Sequence, residues 1–194
     1  VVWGKEPLPS NGDGFFGHCL VDLMKLGTKI ISIDPRITWV GAHDGNINLQ
    51  VRPQTDTALA LGLMNLMFQN DEYDKEFAEK WIYGLDELKE RAAEYPVEKV
   101  AEITWVPADK IREAARMYAT IKPACMPWGE KGGDGCGINA TSAIRAKAIL
   151  RSITGNIDNP GGFVGINFGY VQSDIRENIA KSLPNVREGR LGDD

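Results

Sequence analysis

The chain of 194 residues is long enough for one domain with a hydrophobic core and short for two. Its 43% hydrophobic and 25% charged residues are ordinary for a globular protein and exclude wholesale disorder. The net charge of -5 argues against a general nucleic-acid or anionic-membrane surface, because either would need an excess of Lys and Arg.

The sequence also predicts neither a membrane span nor a metal site. The longest apolar run, residues 58–68, is too short for a bilayer, which requires about 20 residues. The cysteines form no C-x-x-C pair, and neither histidine has a partner at metal-ligand spacing. We therefore expect no partnership with nucleic acid, no direct membrane insertion and no metal ligand in this chain.

The N-terminal third of the chain alternates strands and helices. Residues 1–3 predict a first strand, and residues 15–27 predict a helix that ends at Gly27. The segments TKIISID (28–34) and INLQVR (47–52) predict two further strands. Helices between strands in this order favour a parallel sheet with right-handed crossovers.

The middle of the chain is predicted to be mostly helical. Thr55 is the expected N-cap of a helix that reaches about residue 69 and is apolar nearly all round. Residues 71–106 predict short amphipathic helices interrupted at Gly84 and Pro96, an insert that would cover one edge of the sheet. Another helix should follow Pro107, with its apolar residues at helical spacing.

The C-terminal part of the chain is predicted to contain one more strand, followed by a loop and a helix. ACMPW (124–128) predicts a strand, GEKGGDGCG (129–137) a loop, and residues 139–154 a helix that ends at Gly155 and Asn156. The predicted fold is a three-layer Rossmann-like α/β domain over residues 1–162. Residues 163–194 are predicted to form an extended tail that would pack on the rest of a larger protein.

One stretch, GDGFFG (12–17), matches the G-x-G-x-x-G pattern of dinucleotide-binding proteins. In that motif the first glycine must follow the first strand directly, so that the pyrophosphate reaches the helix N-terminus. Here eight residues, GKEPLPSN, separate Trp3 from Gly12. The pattern therefore favours a turn followed by close packing at Gly17, and an NAD(P)- or FAD-binding dehydrogenase domain remains the alternative.

A broader expectation concerns the edge where the strands end. Open parallel sheets bind ligands at the carboxyl ends of their strands. Asp34 and Asp56 would both lie there, and a carboxylate suits ribose hydroxyls or the paired N–H donors of guanine. Taken alone, Asp56 also fits a helix N-terminal charge, and Asp34 also fits a strand-end turn. A third possibility is a protein-interaction domain, which predicts no shared crevice for these loops.

The order of the loop motifs resembles the molybdopterin-dependent oxidoreductases of the dimethyl sulfoxide reductase family. Within that family, the sequence is most similar to the acetylene hydratase and pyrogallol transhydroxylase branch. The matching segments run nearly to residue 162: WGKEP (3–7), GTKIISIDPRITW (27–39), RPQTDTALALG (52–62), YDKEFAEKW (73–81), VAEITWVPADKIREAARMYA (100–119), WG (128–129) and IRAKAILRSITGNIDNPGG (144–162).

This resemblance implies one domain that holds half of a bis(molybdopterin guanine dinucleotide) cofactor with molybdenum or tungsten. Asp56 is the expected guanine contact and Asp34 a neighbouring nucleoside contact, and these two roles are interchangeable. Lys5 is the expected counter-charge for the phosphates. The full set of cofactor-binding residues implied by the motifs is Gly4, Lys5, Glu6, Pro7, Asp34, Pro35, Arg36, Pro53, Thr55, Asp56, Gly129 and Lys131.

Two positions depart from the family pattern. Glu6 stands where the family usually has Asn, so a carboxylate near a phosphate needs compensation from Lys5 or Arg36. Gln54 replaces the glycine of the R-P-G-T-D loop, so that turn must avoid a positive φ or carry strain. These departures affect the contacts rather than the assignment of the domain.

The resemblance also implies what the chain lacks. A 4Fe-4S cluster and the metal-ligating residue would lie upstream of Val1, and a second dinucleotide-binding domain downstream of Asp194. The chain alone would then contain no catalytic residue and show no turnover. Its expected partners are the remaining domains of the catalytic subunit and an iron–sulfur electron-transfer subunit.

Overall fold

A computed structural model describes residues 1–10, 15–43, 47–127 and 137–163. These residues belong to one unit of the chain, Val1–Phe163. Residues 11–14, 44–46, 128–136 and 164–194 lie outside the described part. The predicted tail and most of the glycine-dense loop fall among them.

The centre of the fold is a parallel sheet of three short strands. They are β1 (Val2–Trp3), β2 (Ile31–Ile33) and β3 (Ile47–Leu49), in the order β1-β2-β3. Val2 pairs with Ser32, and Ile33 pairs with Leu49. The three predicted N-terminal strands are confirmed, although each is shorter than its apolar segment, and the α/β fold class is confirmed with them.

Two hydrophobic clusters cover the sheet, because successive strand residues point to opposite faces. The larger cluster includes Trp3, Ile31 and Ile33 together with residues of three helices, Asp56–Gln69, Ala108–Thr120 and Ala140–Ile153. The smaller one joins Val2 and Ile30 to Leu20 of the helix Phe15–Lys25. The helices in the described residues are α1 (Pro7–Ser10), α2 (Phe15–Lys25), α3 (Asp56–Gln69), α4 (Lys75–Trp81), α5 (Leu85–Ala93), α6 (Val97–Thr104), α7 (Ala108–Thr120) and α8 (Ala140–Ile153).

The helices that the sequence predicts are all present. α3 is buried along most of its length, as its nearly all-round apolar pattern predicts. On α7 the four residues at helical spacing are buried: Ile111, Ala114, Ala115 and Tyr118. Gly155 ends α8 in the left-handed conformation with φ 66°. Its amide donates to Ser152, and the next amide, of Asn156, donates to Arg151, which is the hydrogen-bond pattern of a Schellman cap.

The structure corrects the predicted position of the helical insert. The interruptions at Gly84 and Pro96 are confirmed, since these residues precede α5 and α6. The main contacts of α4, α5 and α6 are nevertheless with α3, α7 and α8 rather than with a sheet edge. α5 and α6 therefore form a helical layer on α3, which is apolar on nearly every side, and α4 packs against α8.

The predicted strand over residues 124–128 is wrong for its described part, residues 124–127. This segment lies beside β1, because the Val1 nitrogen donates to the Cys125 carbonyl at 2.6 Å. The Ala124 amide, however, donates to the side chain of Asn156 at 3.1 Å, and Pro127 has no amide hydrogen to donate. The segment therefore runs along the sheet without forming a ladder.

Candidate functional site

A crevice of about 240 Å³ opens at the carboxyl ends of the three strands. Four residues of the predicted set line it, namely Gly4 after β1, Pro35 after β2, and Pro53 and Asp56 after β3. The carboxyl ends of neighbouring parallel strands meet at one edge, which explains why loops far apart in the chain converge here. The complete lining is Gly4, Ile33, Pro35, Val51, Pro53, Gln54, Asp56 and Gly137.

Asp56 is the carboxylate that the structure places in this crevice. It is the first residue of α3, where the partial positive charge of the helix N-terminus favours an anion. The indole nitrogen Nε1 of Trp3 donates to its Oδ1 at 2.7 Å. A carboxylate has about four lone-pair sites, so this bond leaves Asp56 with further capacity to accept hydrogen bonds.

Asp34 behaves differently from the prediction that it faces the ligand. It is only 3% exposed and is absent from the crevice lining, although its neighbours Ile33 and Pro35 are present. Its Oδ1 accepts hydrogen bonds from the backbone amide of Arg36 at 2.9 Å and from Nε of Arg36 at 3.1 Å. The hydrogen bond that Arg36 donates to Asp34, followed by the charge of the same carboxylate, raises the pKa of the Arg36 guanidinium.

The loop after β1 is positioned by backbone contacts. The Gly4 amide donates to the Ile33 carbonyl at 2.7 Å, and Gly4 has a φ of 63°, which glycine adopts without a steric penalty. Lys5 lies with its Nζ 5.7 Å from the ring centre of Phe16. Pro7 is buried as the first residue of α1.

Glu6 is turned toward the loop that follows β2. Its Oε1 accepts a hydrogen bond from the backbone amide of Trp39 at 3.2 Å, and it does not line the crevice. The carboxylate that departs from the family pattern is therefore occupied in joining two loops. The charge of Glu6 also contributes, after the interactions with Asp34, to the raised pKa of the Arg36 guanidinium.

The loop after β3 carries the strain expected from its missing glycine. Gln54 has a φ of 68°, a left-handed conformation that is unfavourable for a residue with a Cβ atom. Thr55 precedes α3 as predicted, but its hydroxyl donates to the Arg52 carbonyl at 2.7 Å and caps no helix amide. The side-chain nitrogen of Asn139 donates to the Gln54 carbonyl at 3.4 Å, which ties this loop to the start of α8.

The remaining predicted contacts, Gly129 and Lys131, lie outside the described residues. Gly137, at the end of the same loop, does line the crevice. On α8, Arg145 is exposed, whereas Arg151 is 6% exposed and donates to the Met126 carbonyl at 3.2 Å. Arg151 therefore supports segment 124–127.

Two residues near the crevice were missed by the sequence predictions. The sequence places Trp3 in the first strand and in the WGKEP segment but assigns its side chain no role, although a buried indole N–H usually finds an acceptor. Lys147 is 5% exposed and lies with its Nζ 4.7 Å from the ring centre of Trp3. Its spacing relative to Ala143 and Leu150 places it on the buried face of α8, and that spacing was available as a signal.

The geometry does not support the nicotinamide alternative. Gly4 leaves β1, and α1 then intervenes before α2 begins at Phe15. Gly12 and Gly14 are outside the described residues, but Gly17 is the third residue of α2. A Cβ atom on Gly17 would lie 3.0 Å from the Leu8 Cα atom, so this glycine serves the close packing of α1 on α2. In the described residues the chain passes from β1 through Gly4 into α1, so Gly17 does not belong to a strand-to-helix turn directly after β1.

Within the described part of the chain, no group of three or more His, Cys, Asp and Glu side chains is arranged to hold a metal ion. None of the helices described is long and apolar enough to cross a membrane.

Comparison with known proteins shows the family to which the chain is related. No family model matches the chain. The chain is 47% identical over 165 residues to acetylene hydratase of Syntrophotalea acetylenica, covering 85% of the chain and 22% of that protein. It is 33% identical over 211 residues to dimethyl sulfoxide reductase DmsA of Escherichia coli, covering 96% of the chain and 24% of that protein.

The chain is homologous to one segment of the molybdopterin oxidoreductases of the dimethyl sulfoxide reductase family. It spans about a quarter or less of the length of each of the two relatives above. Among solved structures it is similar to acetylene hydratase from Pelobacter acetylenicus, with a TM-score of 0.70 and 46% sequence identity. That match covers 75% of this chain and 20% of the other.

Proposed function

We propose that this chain binds the guanosine end of one molybdopterin guanine dinucleotide in a larger molybdenum or tungsten enzyme with two such dinucleotides. The observation that carries the proposal is the crevice at the carboxyl edge, where Gly4, Pro35, Pro53 and Asp56 converge. Homology to enzymes of the dimethyl sulfoxide reductase family supports the choice of ligand.

The size and the polar groups of the crevice fit this part of the cofactor. Its volume of about 240 Å³ is below the range of about 300–1,000 Å³ for cavities that bury a drug-sized ligand. The crevice therefore suits a nucleobase or nucleoside better than a whole dinucleotide. Asp56 would accept the N1–H and N2–H donors of guanine, and Lys5 would supply positive charge toward the phosphates.

The bound cofactor would supply the metal centre, and this chain would supply its position. From the resemblance to the family, we expect the metal ligand and the 4Fe-4S cluster to lie in other parts of the parent catalytic subunit, and we expect no turnover from the chain alone. Those other domains, and an iron–sulfur electron-transfer subunit, are the proposed partners.

Guanosine diphosphate (GDP) is a suitable probe, because it carries the base, the ribose and two phosphates of the proposed ligand. We expect calorimetry to show that the chain binds GDP and that Asp56→Ala weakens binding by about tenfold or more, which corresponds to losing hydrogen bonds to a charged group. Asp109→Ala is a matched control, because Asp109 also lies in the first turn of a helix, α7, but is exposed and outside the crevice.

Two results would contradict this function. The first is equal GDP affinity in Asp56→Ala and Asp109→Ala. The second is preferential binding of NADH or FAD over GDP by the unmodified chain, which would restore the dehydrogenase alternative. In the full-length parent, Asp56→Ala should also lower the content of metal and pterin after purification.

A further inference from the structure

Three groups from different parts of the chain lie in contact beside the crevice. The Trp3 indole, only 2% exposed, donates from Nε1 to Oδ1 of Asp56 at 2.7 Å. The ammonium of Lys147, 5% exposed, lies 4.7 Å from the centre of the same ring. These residues come from β1, the start of α3 and the middle of α8.

The position of Lys147 has an electrostatic consequence for Trp3. A buried ammonium is costly unless something compensates its charge, and the negative face of an indole ring is the strongest aromatic partner for a cation. A cation over the ring withdraws electron density and makes the indole N–H a stronger donor, as polarised chains of interactions generally do. The contact therefore strengthens the hydrogen bond to Asp56.

The hydrogen bond from Trp3 in turn limits how the Asp56 carboxylate rotates. Rotation would break a short bond to a donor that is buried and fixed in the sheet. An unpaired buried N–H is costly, so the carboxylate is held in one orientation. A carboxylate with a fixed plane can meet two parallel N–H donors at once, whereas a freely rotating one must be ordered on binding.

We propose that Trp3 is a positioning residue that orients Asp56 for the paired donors of a guanine edge, and that Lys147 reinforces it. This inference rests on the function proposed above and adds a determinant of base specificity. Guanine offers both N1–H and N2–H, whereas hypoxanthine offers only N1–H. A correctly oriented carboxylate therefore distinguishes GDP from inosine diphosphate (IDP).

The test compares the affinities of the full chain for GDP and IDP, with folding checked by urea denaturation. Trp3→Phe keeps the aromatic ring and the cation contact but removes the N–H. We expect it to weaken GDP binding by about fivefold to tenfold and IDP binding by less, so that the GDP/IDP ratio falls. A purely structural role for Trp3 would change both affinities equally.

Lys147 provides a second comparison that does not alter Trp3. Lys147→Met removes the charge and keeps most of the length, and Lys147→Arg keeps the charge. We expect Lys147→Met to lower the GDP/IDP ratio and Lys147→Arg to retain it. The indole N–H proton of Trp3 should also move upfield in the NMR spectrum of Lys147→Met, because its hydrogen bond weakens.

The possible failures are distinguishable. If Asp56→Ala loses GDP binding while folded Trp3→Phe keeps the original GDP/IDP ratio, the positioning role is overturned and the proposed function stands. If Trp3→Phe does not fold, an unchanged ratio in Lys147→Met overturns the role instead. If the unmodified chain binds neither nucleotide, the proposed function itself fails, and the specificity role fails with it.

Discussion

The carboxylate of Asp34 holds the turn that follows β2 by bonding to the residue two positions later, Arg36. The amide and the guanidinium of Arg36 both donate to Oδ1 of Asp34, at 2.9 Å and 3.1 Å. Asp34 is 3% exposed, whereas the Arg36 side chain is 68% exposed. Asp34 therefore holds a strand-end turn, which is the simpler of its two interpretations. To contact a nucleoside as well, its carboxylate oxygens would have to accept hydrogen bonds from both Arg36 and the ligand.

Because Asp34 is buried and the Arg36 side chain is exposed, substitutions of the two residues should change the free energy of unfolding by different amounts. Asp34→Ala should lower the free energy of unfolding by about 1–2 kcal/mol, because it removes the buried carboxylate that accepts three hydrogen bonds from Arg36. Asp34→Asn should lose less, since its side-chain oxygen still accepts from the Arg36 amide. Arg36→Ala should lose least, because the exposed guanidinium is screened by solvent. Urea denaturation measures all three, and a larger loss for Arg36→Ala than for Asp34→Ala would contradict the assignment.

Gln54, the residue with a strained backbone beside the crevice, offers a substitution that should stabilise the chain. Gln54→Gly should raise the free energy of unfolding by about 0.5–1 kcal/mol, because glycine adopts the φ of 68° without the Cβ clash. Gln54→Ala is the matched control, since it removes the same side chain and keeps the Cβ atom. Thermal denaturation should rank Gln54→Gly above both Gln54→Ala and the unmodified chain. Equal stability of the two variants would show that the backbone strain is negligible.

Substituting two glycines that have a positive φ, Gly27 and Gly155, should distinguish the cost of backbone strain from the cost of a steric clash. Gly27 has a φ of 86° and nothing within 4 Å of an added Cβ atom, so Gly27→Ala should cost only the conformational strain, about 1–2 kcal/mol. At Gly155 an added Cβ atom would also clash with the Oδ2 atom of Asp74, the N-cap of α4. Gly155→Ala should therefore cost about 1–3 kcal/mol more than Gly27→Ala. Equal costs in denaturant titrations would show that Asp74 moves aside freely.

The buried phenol of Tyr118 should make the folded chain less stable at alkaline pH. Burial raises the pKa of its phenol above the ordinary value of about 10. Thr154 and Asn156 lie near enough to lower that pKa in part, yet within the described part of the chain the hydroxyl forms no hydrogen bond of acceptable geometry. The unfolded state therefore releases this proton at a lower pH than the folded state, and stability falls as pH rises above about 10.

Tyr118→Phe should remove this contribution. At neutral pH the free energy of unfolding of the variant should differ from that of the unmodified chain by less than about 1 kcal/mol, because the hydroxyl that it deletes has no hydrogen-bond partner among the described residues. Above pH 10 the variant should lose less stability with each increase in pH. Denaturant midpoints measured on both sides of that pH test the difference. Parallel pH profiles for the two proteins would show that Tyr118 ionises equally easily in the folded and unfolded states.

Local sequence patterns predicted the three strands, every helix except α1, and the edge of the sheet where the crevice lies, but they wrongly predicted a strand over residues 124–127. Apolar segments of period two and period 3.6 identified β1 to β3 and the helices, and Gly27 and Gly155 marked two helix ends. Parallel strands also place the residues after each strand at a common edge, which correctly predicted that Gly4, Pro35, Pro53 and Asp56 converge. These features depend on neighbours in the chain, so the sequence carries them directly.

Only the tertiary structure decided which side chains face that crevice. Asp34 and Glu6 follow strands as Asp56 does, yet one bonds to Arg36 and the other to the amide of Trp39. The contact of Trp3 with Asp56 joins residues 53 positions apart, and Lys147 reaches the same ring from α8. Such pairings depend on how helices and strands that are distant in the chain pack together and on which acceptor lies within reach of each donor. Local periodicity contains no information about either.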